Sequence, residues 1–159
     1  MAQRTAGETL DDSTIQASVK AALAESDAVK ASEINLETYK GEVQLAGFVA
    51  TEAEKAAAGT IAAGVEGVTK VDNSLVVSAP DRSMGQTLDD QTAETKIKAA
   101  LLGDEVVAGL EVNVEVRRGV ALLSGFTETA AQKARAGELA GQVEGVTDVR
   151  NAVIVKPKG

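Results

Sequence analysis

The sequence predicts an α+β fold: two tandem two-layer αββαβ units, each with two helices on one face of a three-stranded sheet. Three observations carry this. The chain is written twice, residues 9–77 aligning without a gap onto 87–155 with about 32 of 69 paired positions identical, a period far longer than a solenoid repeat. Within each copy the apolar spacing switches from helical to alternating and back. Caps and turn residues stand at the switch points of both copies. The expected division is a tail over 1–8, a first unit over 9–77, a linker over 78–86, a second unit over 87–155 and a tail over 156–159.

Each copy opens with Thr-Leu-Asp-Asp, at 9–12 and 87–90. Ile15, Val19, Ala22 and Leu23 follow in copy one, and Ala93, Ile97, Ala100 and Leu101 in copy two, the spacing of one helix face. Asp11 reads as an N-cap, with Leu10 stapling against Ile15. Asp12 then stands at the positive end of the helix dipole. Cation binding or acid–base chemistry by the paired carboxylates is the weaker reading, since a calcium loop needs spaced oxygen ligands and a sharp glycine turn.

Two alternating runs follow, 34–38 and 43–45, matched by 110–116 and 120–123. Charged residues between apolar ones mark a sheet with one buried face. Lys40-Gly41 and Arg118-Gly119 lie between the runs, where glycine supplies the positive φ of a tight hairpin. Next, Thr51 to Glu54 and Thr129 to Gln132 fit the capping box. The alanine-rich helices they open should face inward through Ala57, Ile61 and Val65, and through Ala131, Leu139 and Val143. They should stop near 65–67 and 143–145, with Gly67 and Gly145 as C-terminal caps. A last strand alternates Val71, Leu75, Val77 and Val149, Val153, Val155. Strands two and three run the same way because a helix crosses between them. The sheet is therefore mixed if they are neighbours and antiparallel if strand one lies between.

The absence of histidine removes the usual general base and metal ligand. With cysteine absent too, zinc, haem, iron–sulfur and Ser-His or Cys-His chemistry fall away. A carboxylate-only glycosidase would need a cleft that stacks sugar, and aromatics make up 2% of the chain with no tryptophan. No phosphate-binding glycine loop follows a strand. The reading is a non-enzyme with no cofactor and no metal. A net charge of −8 argues against nucleic acid. No apolar run approaches a membrane span, and the N-terminus lacks the hydrophobic centre of a secretion signal, so the expectation is a processed form or a cytoplasmic protein.

Acids and bases are unevenly shared, about 11 and 5 in residues 9–77 against about 11 and 7 in 87–155, so copy two is the better partner for an anion. Lys96, Lys98, Arg117, Arg118, Lys133 and Arg135, with Arg150, are the candidate contacts to phosphate headgroups; solvated-face charge is the ordinary reading of such residues. Phe48 and Phe126, aligned after a glycine, read as large core residues beneath the second helix, with a partner anchor as the rival. Tyr39 reads as an exposed hairpin residue.

The residues 11–15 leading to 19–23, Gly41 to Val49, and Val65 to Leu75, with 119–125 and 143–146 in copy two, resemble the BON domain. This family is named for bacterial osmotically inducible and nodulation proteins, and the closest resemblance is to its tandem, periplasmic stress proteins. The resemblance implies an αββαβ fold, a periplasmic location with the signal peptide removed, a link to osmotic stress, and phospholipid association in some relatives through the first helix of the second unit. It implies no catalytic site. The expected function is therefore binding of anionic phospholipid surfaces, and the alternative is a protein-interaction or chaperone-like module for envelope proteins. The alanines around 53–57 and 130–134 allow copy-on-copy packing or a weak homodimer beside a monomer.

Overall fold

The computed structural model of the chain describes residues 11–29, 34–78, 84–107 and 112–156, and the chain divides between Val77 and Ser78 into two units. Unit 1 runs α1 (Asp12–Glu25), β1 (Ile34–Tyr39), β2 (Glu42–Val49), α2 (Glu52–Ala63) and β3 (Lys70–Val77). Unit 2 runs α3 (Met84–Leu102), β4 (Asn113–Arg117), β5 (Val120–Ser124), β6 (Phe126–Thr127), α4 (Ala130–Gly141), β7 (Asp148–Asn151) and β8 (Ile154–Val155). The repeated α-β-β-α-β order is as the sequence predicts, with the later strands of unit 2 each broken in two.

Local chemistry sets the helix starts. The Asp11 carboxylate accepts from the Thr14 amide at 2.8 Å, and that bond lowers its pKa. The proposed staple residue Leu10 lies outside the described residues, as do Leu110 and Glu111 of the predicted strand. Thr51 and Thr129 cap α2 and α4, and the full reciprocal box forms between Thr129 and Gln132. α3 departs from expectation by starting at Met84, inside the segment read as linker. Asp89, aligned with the cap Asp11, is thus inside a helix.

In unit 1, β2 is central, antiparallel to β1 and parallel to β3, which makes the sheet mixed. Unit 2 repeats this with β5 between β4 and β7. The parallel pair β6–β8 continues the ladder through bonds from the Ala152, Ile154 and Lys156 amides to the carbonyls of Leu123, Gly125 and Thr127. Register aligns Leu36, Leu45 and Asn73 across one face, and Val43 and Val71 beside them. That face shares one apolar cluster with Ile15, Val19 and Leu23 of α1 and Ala58 and Ala62 of α2. Ile97, Leu101, Leu123, Ala136, Ala140 and Val153 occupy the matching cluster of unit 2.

Three expectations need correction. The fully buried residues of the second helices are Ala58, Ala62, Ala136 and Ala140, while Ala57, Ile61 and Leu139 are partly buried and Ala131 is exposed. Small side chains at the centre of the contact let the helix axis approach the sheet, and larger residues fill its margins. The helices stop at Ala63 and Gly141, earlier than Gly67 and Gly145. Those glycines, at φ of 95° and 97°, close the next turn, in which Val68 and Val146 bond back to Val65 and Val143. Phe48 is buried, as expected of a large core residue, and Phe126 half-buried, but they pair with Val76 and Ile154 and belong to neither helix-side cluster. Strand parity explains this: Val43 and Leu45 point towards the helices, so residue 48 points away. Tyr39, too, is a half-buried strand residue, with the Lys40 ammonium 5.5 Å from its ring centre.

One polar link crosses each core. The Asn73 side chain donates to the Lys55 carbonyl of α2 at 2.8 Å and accepts from the Leu75 amide at 3.3 Å. Asn151 does the same with Lys133 and Val153 at the same distances. Each asparagine reaches the helix backbone over a glycine: a Cβ on Gly59 or Gly137 would lie 2.8 or 2.7 Å from the amide nitrogen.

Two outcomes are expected in urea unfolding. Gly→Ala in a helix ordinarily stabilises by about 0.5–1 kcal/mol. Gly59→Ala and Gly137→Ala should instead destabilise by about 1 kcal/mol or more, because the methyl displaces a buried hydrogen-bonded amide. Adding Asn73→Ala to Gly59→Ala should remove the clash, so the double variant should lose less than the sum of the singles.

Candidate functional site

The hairpin turns organise the ends of both units. Lys40 and Gly41 have φ of 49° and 83°, and Arg118 and Gly119 have 52° and 81°, the paired left-handed conformation of a type I′ turn. Such a turn leaves two amides without strand partners. Asp12 takes both, at 2.8 Å from Lys40 N and 3.0 Å from Gly41 N. Asp90 takes those of Arg118 and Gly119 at 2.9 and 3.2 Å. The Gly41 and Gly119 carbonyls accept from the amides of Thr69 and Thr147 at 2.9 and 2.8 Å. The first helix, the hairpin turn and the loop after the second helix thus meet at one point in each unit, at the helix start in unit 1 and about two turns into α3 in unit 2.

In unit 2 this junction floors an open hollow of about 460 Å³. Asp89, Thr92 and Lys96 of α3 line one side; Arg118 of the turn and Glu144 and Thr147 of the loop after α4 line the other. Beside it lies the outward face of α3, 19 residues and about 28 Å long. At about 100° per residue, Met84, Leu88, Gln91, Thr95, Ala99 and Leu102 share one side. Met84, Leu88 and Leu102 are 78%, 56% and 76% exposed. That stripe carries no carboxylate: Asp90 is buried and Glu94 is turned aside to bond Lys98 at 3.2 Å. The matching described positions of α1 are Ser13, Ala17, Ala21 and Ala24, so among the described residues such a stripe is found on α3 and not on α1.

The six nominated cations are dispersed. Lys96 and Lys98 flank the α3 stripe on opposite sides, and Lys96 shares the hollow with Arg118. Arg117 ends β4, half-buried. Lys133 lies on α4, its carbonyl held by Asn151. Arg135 is engaged by two carboxylates, with Nε 2.8 Å from Asp104 and Nη1 2.7 Å from Glu138. Arg150, also considered, is 3.4 Å from Asp148.

Asp104 is itself a junction. It accepts from the amides of Val106 and Val107 at 2.9 and 3.4 Å, folding the loop after α3 so that Val107 is buried. The hydrogen bond from Arg135 is the main cause holding its carboxyl below the ordinary aspartate range, with the Val106 amide adding to it. Arg135 is correspondingly raised, first by Asp104 and then by Glu138. Copy one has Ser26, Ala57 and Thr60 at these positions, so the ionic tether belongs to unit 2. Sequence reasoning missed it; the joint replacement of Ser26 and Ala57 by an opposite-charge pair was the signal. It also missed the stripe, whose Met84 and Leu88 are spaced four apart within and beyond the assumed linker.

Among the described residues no group of three His, Cys, Asp or Glu side chains could hold a metal ion. No helix among them is long and apolar enough to cross a membrane.

The family model of the BON domain matches residues 11–79 and again 89–157. The chain is 40% identical over 151 residues to the osmotically-inducible protein Y of Escherichia coli, covering 94% of this chain and 75% of that one. It is 34% identical over 147 residues to the outer membrane lipoprotein DolP of Haemophilus influenzae, covering 92% and 75%. It is 33% identical to the 21 kDa hemolysin of Actinobacillus pleuropneumoniae over the same shares.

The tether makes a pH-dependent contribution of defined sign. A carboxyl whose pKa is depressed by folding stabilises the fold above its unfolded value, about 3.9, and that stabilisation is lost as pH falls through the folded value. Arg135→Ala removes the main cause of that depression and leaves the Val106 and Val107 amide bonds. In urea unfolding across the acid range, the variant should be less stable than the parent at neutral pH and should show a shallower rise of stability with pH below about 4. Parallel pH curves for the two proteins would refute the assignment.

Proposed function

We propose that this chain, which belongs to the BON-domain family, is a non-enzymatic cell-envelope stress protein that binds phospholipid membrane surfaces peripherally, with α3 as its contact element. The envelope and stress parts of this reading are supported by the relatives, one named as osmotically inducible and another as an outer membrane lipoprotein. The lipid part rests on one observation, the exposed stripe of α3.

A helix lying in a membrane interface needs apolar side chains on one side and cations where headgroup phosphates stand. Met84, Leu88 and Leu102 supply the first. Lys98 and Lys96 flank them, and the carboxylates of α3 lie off the stripe. Burying a leucine-sized side chain is worth about 1.5–3 kcal/mol, and each cation near an anionic surface adds about 1 kcal/mol. Three apolar residues and two lysines therefore suffice for reversible binding but not for permanent anchorage. The net charge of −8 opposes approach to an anionic surface, so binding depends on the local cations of the contact face.

Flotation with anionic and with zwitterionic vesicles, at low and at physiological salt, tests this. The chain should float with anionic vesicles, less so at higher salt. Leu88→Glu should weaken binding roughly tenfold or more at either salt. Lys98→Glu should weaken it by a similar factor only at low salt, and Arg118→Glu should do the same if the turn approaches the headgroups. Absence of flotation under every condition would hand the stripe to a protein partner, the reading in which the units are docking or chaperone-like modules.

A further inference from the structure

The hollow beside α3 has been rebuilt between the two copies in one electrostatic direction. Ten residues line it in unit 2, and seven of the aligned positions in copy one hold the same residue: Asp11, Asp12, Thr14, Gly41, Glu66, Gly67 and Thr69. The three exchanges, with the 78-residue offset carried one residue past the aligned block to Glu8, which lies outside the described residues, are Glu8 to Gln86, Ser18 to Lys96 and Lys40 to Arg118. The first removes an acid, the second adds a cation, and the third replaces a point charge by a planar fork that matches phosphate geometry. Copy one carries one cation against four carboxylates at these positions; copy two carries two against three.

We infer that the unit 2 hollow is a binding site for a phosphate–ammonium zwitterion, the phosphoethanolamine group. Lys96 and Arg118 supply the phosphate half, since charge-assisted bonds to phosphate are about twice as strong as neutral ones, and Thr92 adds a hydroxyl. The ammonium half falls to Asp89 and Glu144, both exposed at the rim. Asp90 is occupied differently: it is buried and its two oxygens accept from the turn amides. A bare phosphate is disfavoured because the lining still carries one more carboxylate than cation. A bare metal ion is disfavoured because no three ligands converge there among the described residues.

The same group can arrive as a soluble phosphodiester or as a lipid headgroup. The hollow opens on the flank of the helix that bears the stripe, so the lipid source rests on the membrane-surface reading, whereas the site itself does not.

Amide NMR of the full chain separates these cases. Glycerophosphoethanolamine should shift the signals of Gly119, Gly145 and Thr147 while leaving their counterparts Gly41, Gly67 and Thr69 in place. Lys96→Ser, which writes the copy-one residue into copy two, and Glu144→Gln should each weaken that response roughly tenfold or more. Glycerol phosphate and ethanolamine, each offering half the group, should do little. Nanodiscs containing phosphatidylethanolamine should shift the same signals more than nanodiscs of phosphatidylcholine alone, and a shift seen only there would identify the lipid as the source. Equal shifts by glycerol phosphate would overturn the zwitterion assignment. No shift with either the soluble group or the phosphatidylethanolamine nanodisc would overturn the site. The soluble arm contains no membrane, so a chain that fails to float but responds to glycerophosphoethanolamine would sink the membrane reading alone.

Discussion

Everything in each unit hangs from one carboxylate. A two-residue hairpin with both central residues at positive φ sets two amides pointing out of the ladder, and a non-glycine residue there is strained. Lys40 and Arg118 hold that conformation because Asp12 and Asp90 accept from both amides of each turn. A charged acceptor makes such bonds worth about 1.5–3 kcal/mol each, enough to offset the strain. The same bonds fix the first helix of each unit against the hairpin, and the glycine carbonyl behind them fixes the loop that leads into the last strand. The helix face can then only fall over the inward face of the sheet.

With the frame held in this way, the copies can differ in polarity at the surface while their cores exchange one apolar residue for another. The asparagine that spans from strand to helix backbone, the glycine beneath it and the lysine carbonyl it reaches are the same in both copies. What changes is the outer face of the first helix, the lining of the hollow beside it and the loop tied down by Arg135. These three lie on or next to α3, whereas exchanges in the core, such as Ile15 to Ala93, Leu36 to Val114 and Val43 to Ala121, keep it apolar. The polarity changes around α3 support assigning the binding role to unit 2.

Local interactions were legible in the sequence and distant ones were not. The N-cap at Asp11 and the boxes at Thr51 and Thr129 are formed within a few residues, so spacing alone reveals them. Asp12 read equally well as a favourable charge on a helix dipole, because its true partners stand 28 and 29 residues away. Strand order was open for the same reason. Phe48 shows a different failure: its parity relative to Leu45 was on the page, but size outweighed periodicity in placing it under the helix. For the candidate site, copy two was picked out by its excess of cations. Which cations matter could not be read, since Arg135 is consumed by Asp104 and Glu138, whereas Lys96 and Arg118 converge only through the fold. The stripe was hidden because glycine and serine near residues 83–85 suggested a joint where a helix begins.

A chain that carries the same unit twice runs the risk of exchanging strands between its halves while folding, because each final strand nearly fits the wrong partner. The first rung of the parallel ladder guards against this. Lys70 enters opposite Glu42, with their charged groups 3.9 Å apart, while Asp148 enters opposite Val120. Were the last strand of the second half to add to the first sheet in the same register, Asp148 would face Glu42, a like-charge pair that is destabilising when directly opposed. The reciprocal error would set Lys70 opposite Val120, forfeiting its ion pair. The charge reversal from Lys70 to Asp148 thus sets this rung of the ladder against exchange of the last strands.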